Sequence, residues 1–171
     1  LADCSIGGNI ATNAGGPRCL KYGVTRHYVL GLEVVLADGT VARVGGRTHK
    51  NKTGFDLVGL FTGSEGLLGI VTEATLRLLP WPPVRAVLSA SFPDMPTAAA
   101  AVQSVFAHGH LPSAVEIADR FTLEAARRHA GTETAIPAGE AHLLVEIDGQ
   151  EASVKAETAE LTALLKGARA V

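Results

Sequence analysis

Two glycine-rich segments of the chain have the residue types that suit close contact with a phosphate-bearing ligand. The first, SIGGNIATNAGG, covers residues 5–16, and the second, GSEGLLG, covers residues 63–69. Glycine lets the backbone approach a ligand closely, and successive main-chain N–H groups can bind anionic oxygens. Asparagine and threonine add amide and hydroxyl groups to the first segment. Both segments are predicted to be loops, and together they predict a pair of walls around a large, flat, phosphate-bearing cofactor.

A tight turn is the alternative interpretation of each segment, in which the glycines serve backbone geometry alone. The second segment is not the dinucleotide fingerprint G-x-G-x-x-G, and the chain contains no Walker A sequence. For residues 63–69, the alternative is a turn between a helix and a strand. Two such segments in one chain favour cofactor binding over this alternative.

The composition predicts a soluble globular protein. Of the 171 residues, 47% are hydrophobic and 19% are charged, which excludes a disordered chain. The net charge of -2 gives no electrostatic reason to expect nucleic acid as a partner, and no apolar run is long enough to cross a bilayer. Cys4 and Cys19 are expected to be reduced thiols, which fits a cytoplasmic location.

The local patterns predict two regions separated by a proline-rich connector at residues 79–83. In the first region, Asp38-Gly39 between two apolar runs is a strong hairpin signal. The strands of this region are predicted at 28–36, 40–44 and 69–78, with a short helix at 56–61. In the second region strands and helices alternate, with strands at 85–92, 114–117 and 142–147 and helices at 97–107, 120–129 and 152–165. This order predicts an α+β fold with the helices on one face of the sheet.

Several longer motifs resemble the FAD-linked oxidase family with a vanillyl-alcohol-oxidase (PCMH)-type FAD-binding domain. They are IGGNIATNAGG at 6–16, LKYGVT at 20–25, VLGLEVVLADG at 29–39, NKTGFDL at 51–57 and GSEGLLGIVTE at 63–73. The second region is similar to the family more loosely, through residues 114–120 and 143–149. Within the family, the chain is most similar to the branch of glycolate oxidase flavin subunits and D-lactate dehydrogenases.

The resemblance implies a domain organisation. Residues 1–80 would be the C-terminal part of a PCMH-type FAD-binding domain, and residues 84–171 would be the start of an α+β, ferredoxin-like, substrate or cap domain. The chain is therefore expected to be an internal fragment. A further phosphate-binding glycine loop would precede Leu1, and a histidine-rich motif for metal binding and proton transfer would follow Val171.

The resemblance also implies which residues bind FAD. They are Ile6, Gly7, Gly8, Asn9, Thr12, Asn13, Gly15, Gly16, Gly63, Ser64, Glu65, Gly66, Gly69 and Ile70. Leu67 stands where the family usually has threonine, so one hydroxyl is missing. Lys50 and Lys52 belong either to a solvated basic loop or to the surroundings of the flavin ring. No catalytic residue is assigned, because the base is expected beyond Val171. No metal ligand is assigned, because His108 and His110 are too few ligands for a stable site and fit a solvated helix end.

The implied function is FAD-dependent oxidation of a small D-2-hydroxy acid, glycolate or D-lactate, to the 2-oxo acid, by hydride transfer to flavin N5. An iron–sulfur subunit that accepts the electrons is the expected protein partner. Two alternatives remain. One is the same flavin fold acting on a different alcohol, and the other is a non-catalytic binding or assembly module.

Overall fold

The structure is a computed structural model that describes residues 4–48, 50, 52–130, 139–168 and 170. Its helices are α1 (Ile6–Thr12), α2 (Cys19–Tyr22), α3 (Leu57–Phe61), α4 (Met95–Ala107), α5 (Arg120–Ala130) and α6 (Glu151–Gly167). Its strands are β1 (Val29–Val35), β2 (Val41–Gly45), β3 (Ile70–Leu76), β4 (Val84–Phe92), β5 (Ala114–Asp119) and β6 (Ala141–Gly149). A 3₁₀ turn, Thr25–Tyr28, precedes β1.

The chain divides into two compact units. The first comprises Leu1–Gly16 and Gly23–Pro80, and the second comprises Pro17–Tyr22 and Trp81–Val171. The short segment Pro17–Tyr22, which contains α2, thus belongs to the same unit as residues more than fifty positions later. The assignment of residues 1–80 and 84–171 to two domains stays a prediction.

The first unit is built on an antiparallel sheet in the order β2-β1-β3. The predicted hairpin of β1 and β2 is confirmed. In its turn, Gly39 adopts φ 84°, and the Thr40 amide donates to Asp38 Oδ1 over 2.9 Å. α1 and α3 contribute to the core of this unit together with the sheet. Its buried apolar residues are Ile10, Val29, Leu32, Val34, Val58 and Phe61.

The first glycine-rich segment is a helix over most of its length, so its prediction as a loop is wrong. α1 begins after Ser5, whose Oγ accepts the Gly8 amide over 3.0 Å, and ends at Asn13 in the left-handed conformation. Two glycines in the first turn lower helix propensity by about 1 kcal/mol each relative to alanine. Burial of Ile10 and the caps at both ends offset that loss.

The second unit has an antiparallel sheet in the order β4-β6-β5. Because β6 pairs antiparallel with both neighbours, β4 and β5 run parallel to each other on either side of it. This is the split βαβ arrangement of ferredoxin-like folds. α4 and α6 pack against β4 and β6, which confirms the predicted α+β fold with these helices on one sheet face. Their shared core includes Phe92, Leu143, Val145, Ile147 and Leu161.

Helix boundaries in this unit follow the capping residues. α4 begins at Met95, two residues before the predicted start, because Asp94 accepts the Thr97 amide over 2.7 Å.

Among the helices of the described residues, none has both the length and the apolar composition needed to cross a membrane.

Candidate functional site

The two glycine-rich segments lie side by side in the first unit. The Gly63 amide donates to the Ile10 carbonyl, and the Glu65 amide donates to the Ala11 carbonyl, each over 2.9 Å. The last turn of α1 is therefore joined by main-chain hydrogen bonds to the turn that connects α3 with β3. These bonds bring together two segments that the sequence separates by about fifty positions.

All the predicted FAD-binding residues fall in or beside these two elements. Residues 6–12 form α1, Asn13 ends it, and Gly15 and Gly16 follow as exposed residues. Residues 63–69 form the turn before β3, and Ile70 is the first residue of that strand. Contact of these residues with FAD stays a prediction.

Backbone strain is concentrated in the same two segments. Asn13, at φ 48°, and Glu65, at φ 52°, are the two non-glycine residues with positive φ in the described part of the chain. Asparagine tolerates the left-handed conformation, whereas glutamate adopts it at a cost. Strained residues of this kind cluster at ligand sites, where the surrounding structure holds them in place. Their position supports a binding role for this part of the first unit.

Close packing requires glycine at some positions of the two segments and not at others. A Cβ on Gly69 would lie 2.6 Å from Val34 Cγ1 and 2.8 Å from the Val35 carbonyl oxygen, so close packing on β1 requires glycine there. By contrast, a Cβ on Gly7 or Gly16 would meet no described atom within 4 Å, and neither residue has positive φ. Neither packing nor conformation requires glycine at these two positions. Open space beside them fits the close approach of a flat cofactor.

Both segments carry apolar side chains that are exposed. Ile6, Leu67 and Ile70 are each more than half exposed. Ile70 Cδ1 would lie 3.8 Å from a Cβ on Gly66, so this side chain borders the turn itself. An exposed apolar surface beside open glycine backbone suits an aromatic ring system with a phosphate chain. The residues present therefore fit FAD.

Some of the predicted polar contacts serve the segment itself. Thr12 Oγ1 donates to the Gly8 carbonyl over 2.9 Å, and Asn13 Oδ1 accepts the main-chain amide of Arg26 over 2.9 Å. These side chains shape α1 and its end. Their contact with the cofactor stays a prediction, as it does for Asn9 and Ser64.

Sequence reasoning missed the pair formed by Arg26 and Asp56. The Arg26 guanidinium donates to both carboxylate oxygens of Asp56, at 2.5 Å each, and Asp56 also caps α3 by accepting the Gly59 amide over 2.9 Å. The hydrogen bond from Arg26, followed by that from Gly59, lowers the pKa of the Asp56 carboxyl below its usual value. Asp56 was predicted near the helix N-cap, but no local pattern connects that residue with an arginine 30 positions earlier.

Two grooves of the first unit lie beside β2 rather than at the glycine-rich segments. One of about 580 Å³ is bordered by Glu33, Arg43 and Glu73, and one of about 510 Å³ by Arg26, Lys52 and Phe55. None of the fourteen predicted FAD-binding residues lines either groove. The assignment of the candidate site therefore depends on backbone geometry rather than on either of these two grooves.

The lysines and histidines that the sequence analysis singled out lie at the following positions. Lys50 and Lys52 are exposed, whereas His49 and Asn51 lie outside the described residues. His108 ends α4 with its Nδ1 2.8 Å from the Ser104 carbonyl oxygen. Within the described ranges, no group of three histidine, cysteine or carboxylate side chains has an arrangement suited to a metal ion.

Protein-family comparison matches both regions of the chain. Residues 1–45 match a family described as "FAD binding domain", and residues 81–171 match one described as "FAD linked oxidases, C-terminal domain". The second match covers more than half of the chain. Together the two matches confirm FAD as the predicted cofactor.

Curated relatives agree with this match. The glycolate oxidase subunit GlcD of Escherichia coli K12 is 45% identical over 164 residues, which are 95% of this chain and 32% of that protein. A D-lactate dehydrogenase of Archaeoglobus fulgidus is 45% identical over 157 residues, 91% of this chain and 35% of that protein. The mitochondrial D-2-hydroxyglutarate dehydrogenase of Bos taurus is 40% identical over 150 residues, 85% of this chain and 27% of that protein. The chain spans about a third of the length of the curated relatives it matches.

Solved structures show the same fold at lower identity. An alkyldihydroxyacetonephosphate synthase superposes with a TM-score of 0.75 at 20% identity, covering 96% of this chain and 32% of that one. A p-cresol methylhydroxylase gives a TM-score of 0.69 at 23% identity, covering 95% and 36%. These likenesses confirm the predicted fold class. With the family match over residues 81–171, they show that the chain belongs to the FAD-linked oxidase family.

Proposed function

We propose that the protein oxidises a small D-2-hydroxy acid, such as glycolate or D-lactate, to the corresponding 2-oxo acid with FAD as its cofactor. The observation that carries this proposal is 45% identity to both a glycolate oxidase subunit and a D-lactate dehydrogenase over more than nine-tenths of the chain. When bound, FAD supplies the two-electron acceptor that such an oxidation requires.

The first unit contributes binding and orientation to this function. Main-chain groups of residues 63–66 and the backbone at Gly7 and Gly16 would hold the cofactor, and a Cβ at Gly7 or Gly16 would meet no described atom within 4 Å. The exposed apolar side chains of Ile6 and Ile70 would exclude water from the ring. Holding a cofactor in one orientation is the part of catalysis that a protein scaffold supplies.

The relatives are named for different hydroxy acids, so the comparisons leave the size of the acid open. The Bos taurus relative is named for D-2-hydroxyglutarate, which carries a second carboxylate, and it is 40% identical to this chain. A C5 dicarboxylate is therefore the second candidate substrate. The predicted iron–sulfur partner and the predicted cytoplasmic location also belong to this proposal.

Anaerobic reduction of bound flavin tests the substrate class directly. The full-length protein, reconstituted with FAD, would be mixed with glycolate, D-lactate, L-lactate or D-2-hydroxyglutarate, and the loss of the oxidised flavin absorbance band would be followed. We expect one of the D-acids or glycolate to bleach the flavin, and L-lactate to leave it oxidised. A protein that binds FAD but is bleached by none of these acids would overturn the substrate assignment and favour another alcohol. Failure to bind FAD would favour a non-catalytic module.

A further inference from the structure

Arg26 bonds to the end of α1 and to the start of α3, the helix that leads into the second glycine-rich segment. Its main-chain amide donates to Oδ1 of Asn13, the residue that ends α1. Its guanidinium donates to both carboxylate oxygens of Asp56, the residue that caps α3, and to the Val29 carbonyl over 3.2 Å. One residue thus contacts the end of the first glycine-rich segment and the start of the helix that leads into the second.

These contacts close a ring of hydrogen bonds within the first unit. From Asn13 the ring passes through Arg26 to Asp56 and along α3 to Gly63. The Gly63 amide then returns to α1 at the Ile10 carbonyl over 2.9 Å. Thr25, beside Arg26, also joins the ring, because its amide and its hydroxyl both donate to the Ala14 carbonyl, over 3.1 and 2.7 Å. Opening the ring at Arg26 would leave the two glycine-rich segments joined by their direct main-chain bonds alone.

Gly59 provides independent evidence that α3 accommodates this pair. A Cβ at Gly59 would overlap Asp56 Oδ2 and would lie 2.8 Å from Arg26 Nε. The residue is in a helix, where glycine lowers helix propensity, and it does not have positive φ. Room for the guanidinium and the carboxylate is therefore the structural reason for glycine at this position.

The exposure of the Arg26–Asp56 ion pair indicates that it orients the chain rather than stabilises the fold. The side chain of Arg26 is 29% exposed and that of Asp56 is 64% exposed. Ion pairs with this much exposure contribute little to folding. The planar guanidinium nevertheless fixes direction, because its Nη2 binds the Asp56 carboxylate while its Nη1 donates to the Val29 carbonyl, and a lysine ammonium has only one nitrogen for both.

We propose that Arg26 is a positioning residue of the FAD site: through Asn13 and Asp56 it sets the placement of the two glycine-rich segments relative to each other. The proposal rests on the proposed binding of FAD by these segments. Arg26 itself does not need to touch the cofactor. Its substitution should weaken cofactor binding without a matching loss of folding.

The test uses the full-length apoprotein and compares four variants. Arg26→Ala removes the guanidinium, Arg26→Lys keeps the charge without a second nitrogen for the Val29 carbonyl, and Asp56→Asn keeps an N-cap while removing the carboxylate. Arg43→Ala is the matched control. It removes an arginine of the same unit that pairs with Glu33 over 2.5 Å and contacts neither glycine-rich segment in the described hydrogen bonds and ion pairs.

Two measurements are made on each variant. FAD titration, followed by quenching of flavin fluorescence, gives the Kd, and thermal unfolding of the apoprotein gives its Tm. We expect Arg26→Ala to raise the Kd about tenfold or more. Arg26→Lys should recover only part of the affinity, and Asp56→Asn should resemble Arg26→Ala. Arg43→Ala should match the wild type in Kd, and the Tm of all four should stay close to the wild-type value.

A third measurement does not depend on the cofactor. In the apoprotein, the amides of Gly63 and Glu65 should exchange with deuterium faster in Arg26→Ala than in the wild type, while amides of the β1–β2 hairpin should not change. Unchanged exchange at both amides, or a Kd for Arg26→Ala within about twofold of the wild type, would overturn the proposal. A Kd that rises equally in Arg43→Ala would also overturn it. A wild-type protein that does not bind FAD would instead refute the proposed function itself.

Discussion

Lys21 Nζ lies 2.6 Å from Asp148 Oδ1, although 127 positions separate the two residues in the sequence. The same ammonium group donates to the Asp148 main-chain carbonyl over 2.8 Å, and the Tyr22 hydroxyl lies 2.8 Å from both carboxylate oxygens. The side chain of Asp148 is only 1% exposed. A carboxylate so deeply buried requires charged and hydrogen-bonding partners, so these contacts hold the segment Pro17–Tyr22 in the second unit.

The first prediction concerns this buried carboxylate. Asp148→Ala should lower the free energy of unfolding by about 2–4 kcal/mol, because it removes the acceptor of Lys21 and of Tyr22 together. Tyr22→Phe removes one donor and should cost about 1 kcal/mol. Urea denaturation of the full-length protein measures both. Equal and negligible effects of the two variants would show that the contact does not hold the segment.

The second prediction concerns pH and Glu146. Arg18 donates to both oxygens of Glu146, at 2.6 and 2.8 Å. This hydrogen bonding, with help from Ser113 and the positive charge of Arg85, lowers the pKa of Glu146 in the folded protein below its usual value. As the pH falls below about 4.3, the unfolded chain therefore binds the proton first, and folding loses stability. The stabilisation is fully present above that value and is lost as the pH falls through the lower pKa of the folded state.

Glu146→Gln provides the measurement for this titration. At pH 7 the variant should be less stable than the wild type by about 1–2 kcal/mol, since a charge-assisted hydrogen bond becomes a neutral one. The difference should shrink progressively at acid pH, when the wild-type carboxyl takes up its proton. Glu116→Gln is a suitable control, because Glu116 is an exposed carboxylate of β5 in the same sheet. A difference between Glu146→Gln and the wild type that is constant from pH 7 to acid pH would contradict this explanation.

Features that depend on neighbouring residues could be predicted from the sequence. The β1–β2 hairpin follows from Asp38-Gly39, and most of α4 lies in the helix predicted at 97–107, whereas Asp94 sets its start at Met95. The exception is α1, where two glycines suggested a loop. The structure makes a helix there because Ser5, Asn13 and the buried Ile10 together outweigh low propensity. Local capping was visible in the sequence, whereas the burial of a single isoleucine was not.

Features that depend on distant residues could not be predicted in this way. The pairing of Arg26 with Asp56 and that of Lys21 with Asp148 involve charged residues whose local surroundings indicate only solvated positions. The packing of Pro17–Tyr22 in the second unit has the same origin. The candidate site itself was predicted because its glycine pattern is local. The arginine that connects its two segments was not.

The third prediction separates ligand contact from backbone strain at Gly66. This residue adopts φ 81°, so Gly66→Ala should cost about 1–2 kcal/mol of stability whether or not FAD binds there. Gly39 adopts φ 84° in the β1–β2 turn, and a Cβ there would meet no described atom within 4 Å. Gly39→Ala therefore imposes the same strain away from the candidate site. We expect both variants to lose similar stability and only Gly66→Ala to raise the Kd for FAD. Equal Kd values of the two variants for FAD would show that Gly66 is not part of the binding site.

The fourth prediction is that a substitution at Gly7 raises the stability of the apoprotein and weakens FAD binding. Replacing a helical glycine that faces open space with a good helix former should raise the stability of the apoprotein by about 0.5–1 kcal/mol. Gly7→Gln should do so and should at the same time weaken FAD binding, because the longer side chain fills the space that the cofactor would use. Thermal unfolding of the apoprotein and FAD titration measure the two effects separately.

Gly167 supplies the matched control for Gly7. It is the last residue of α6 in the second unit, does not have positive φ, and would also place a Cβ in open space among the described atoms. Gly167→Gln should therefore change stability without changing the Kd for FAD. If Gly7→Gln stabilised the apoprotein and left the affinity for FAD unchanged, the open face of α1 would not be a cofactor surface. The glycine at that position would then have no functional explanation in the first unit, since neither conformation nor packing requires it.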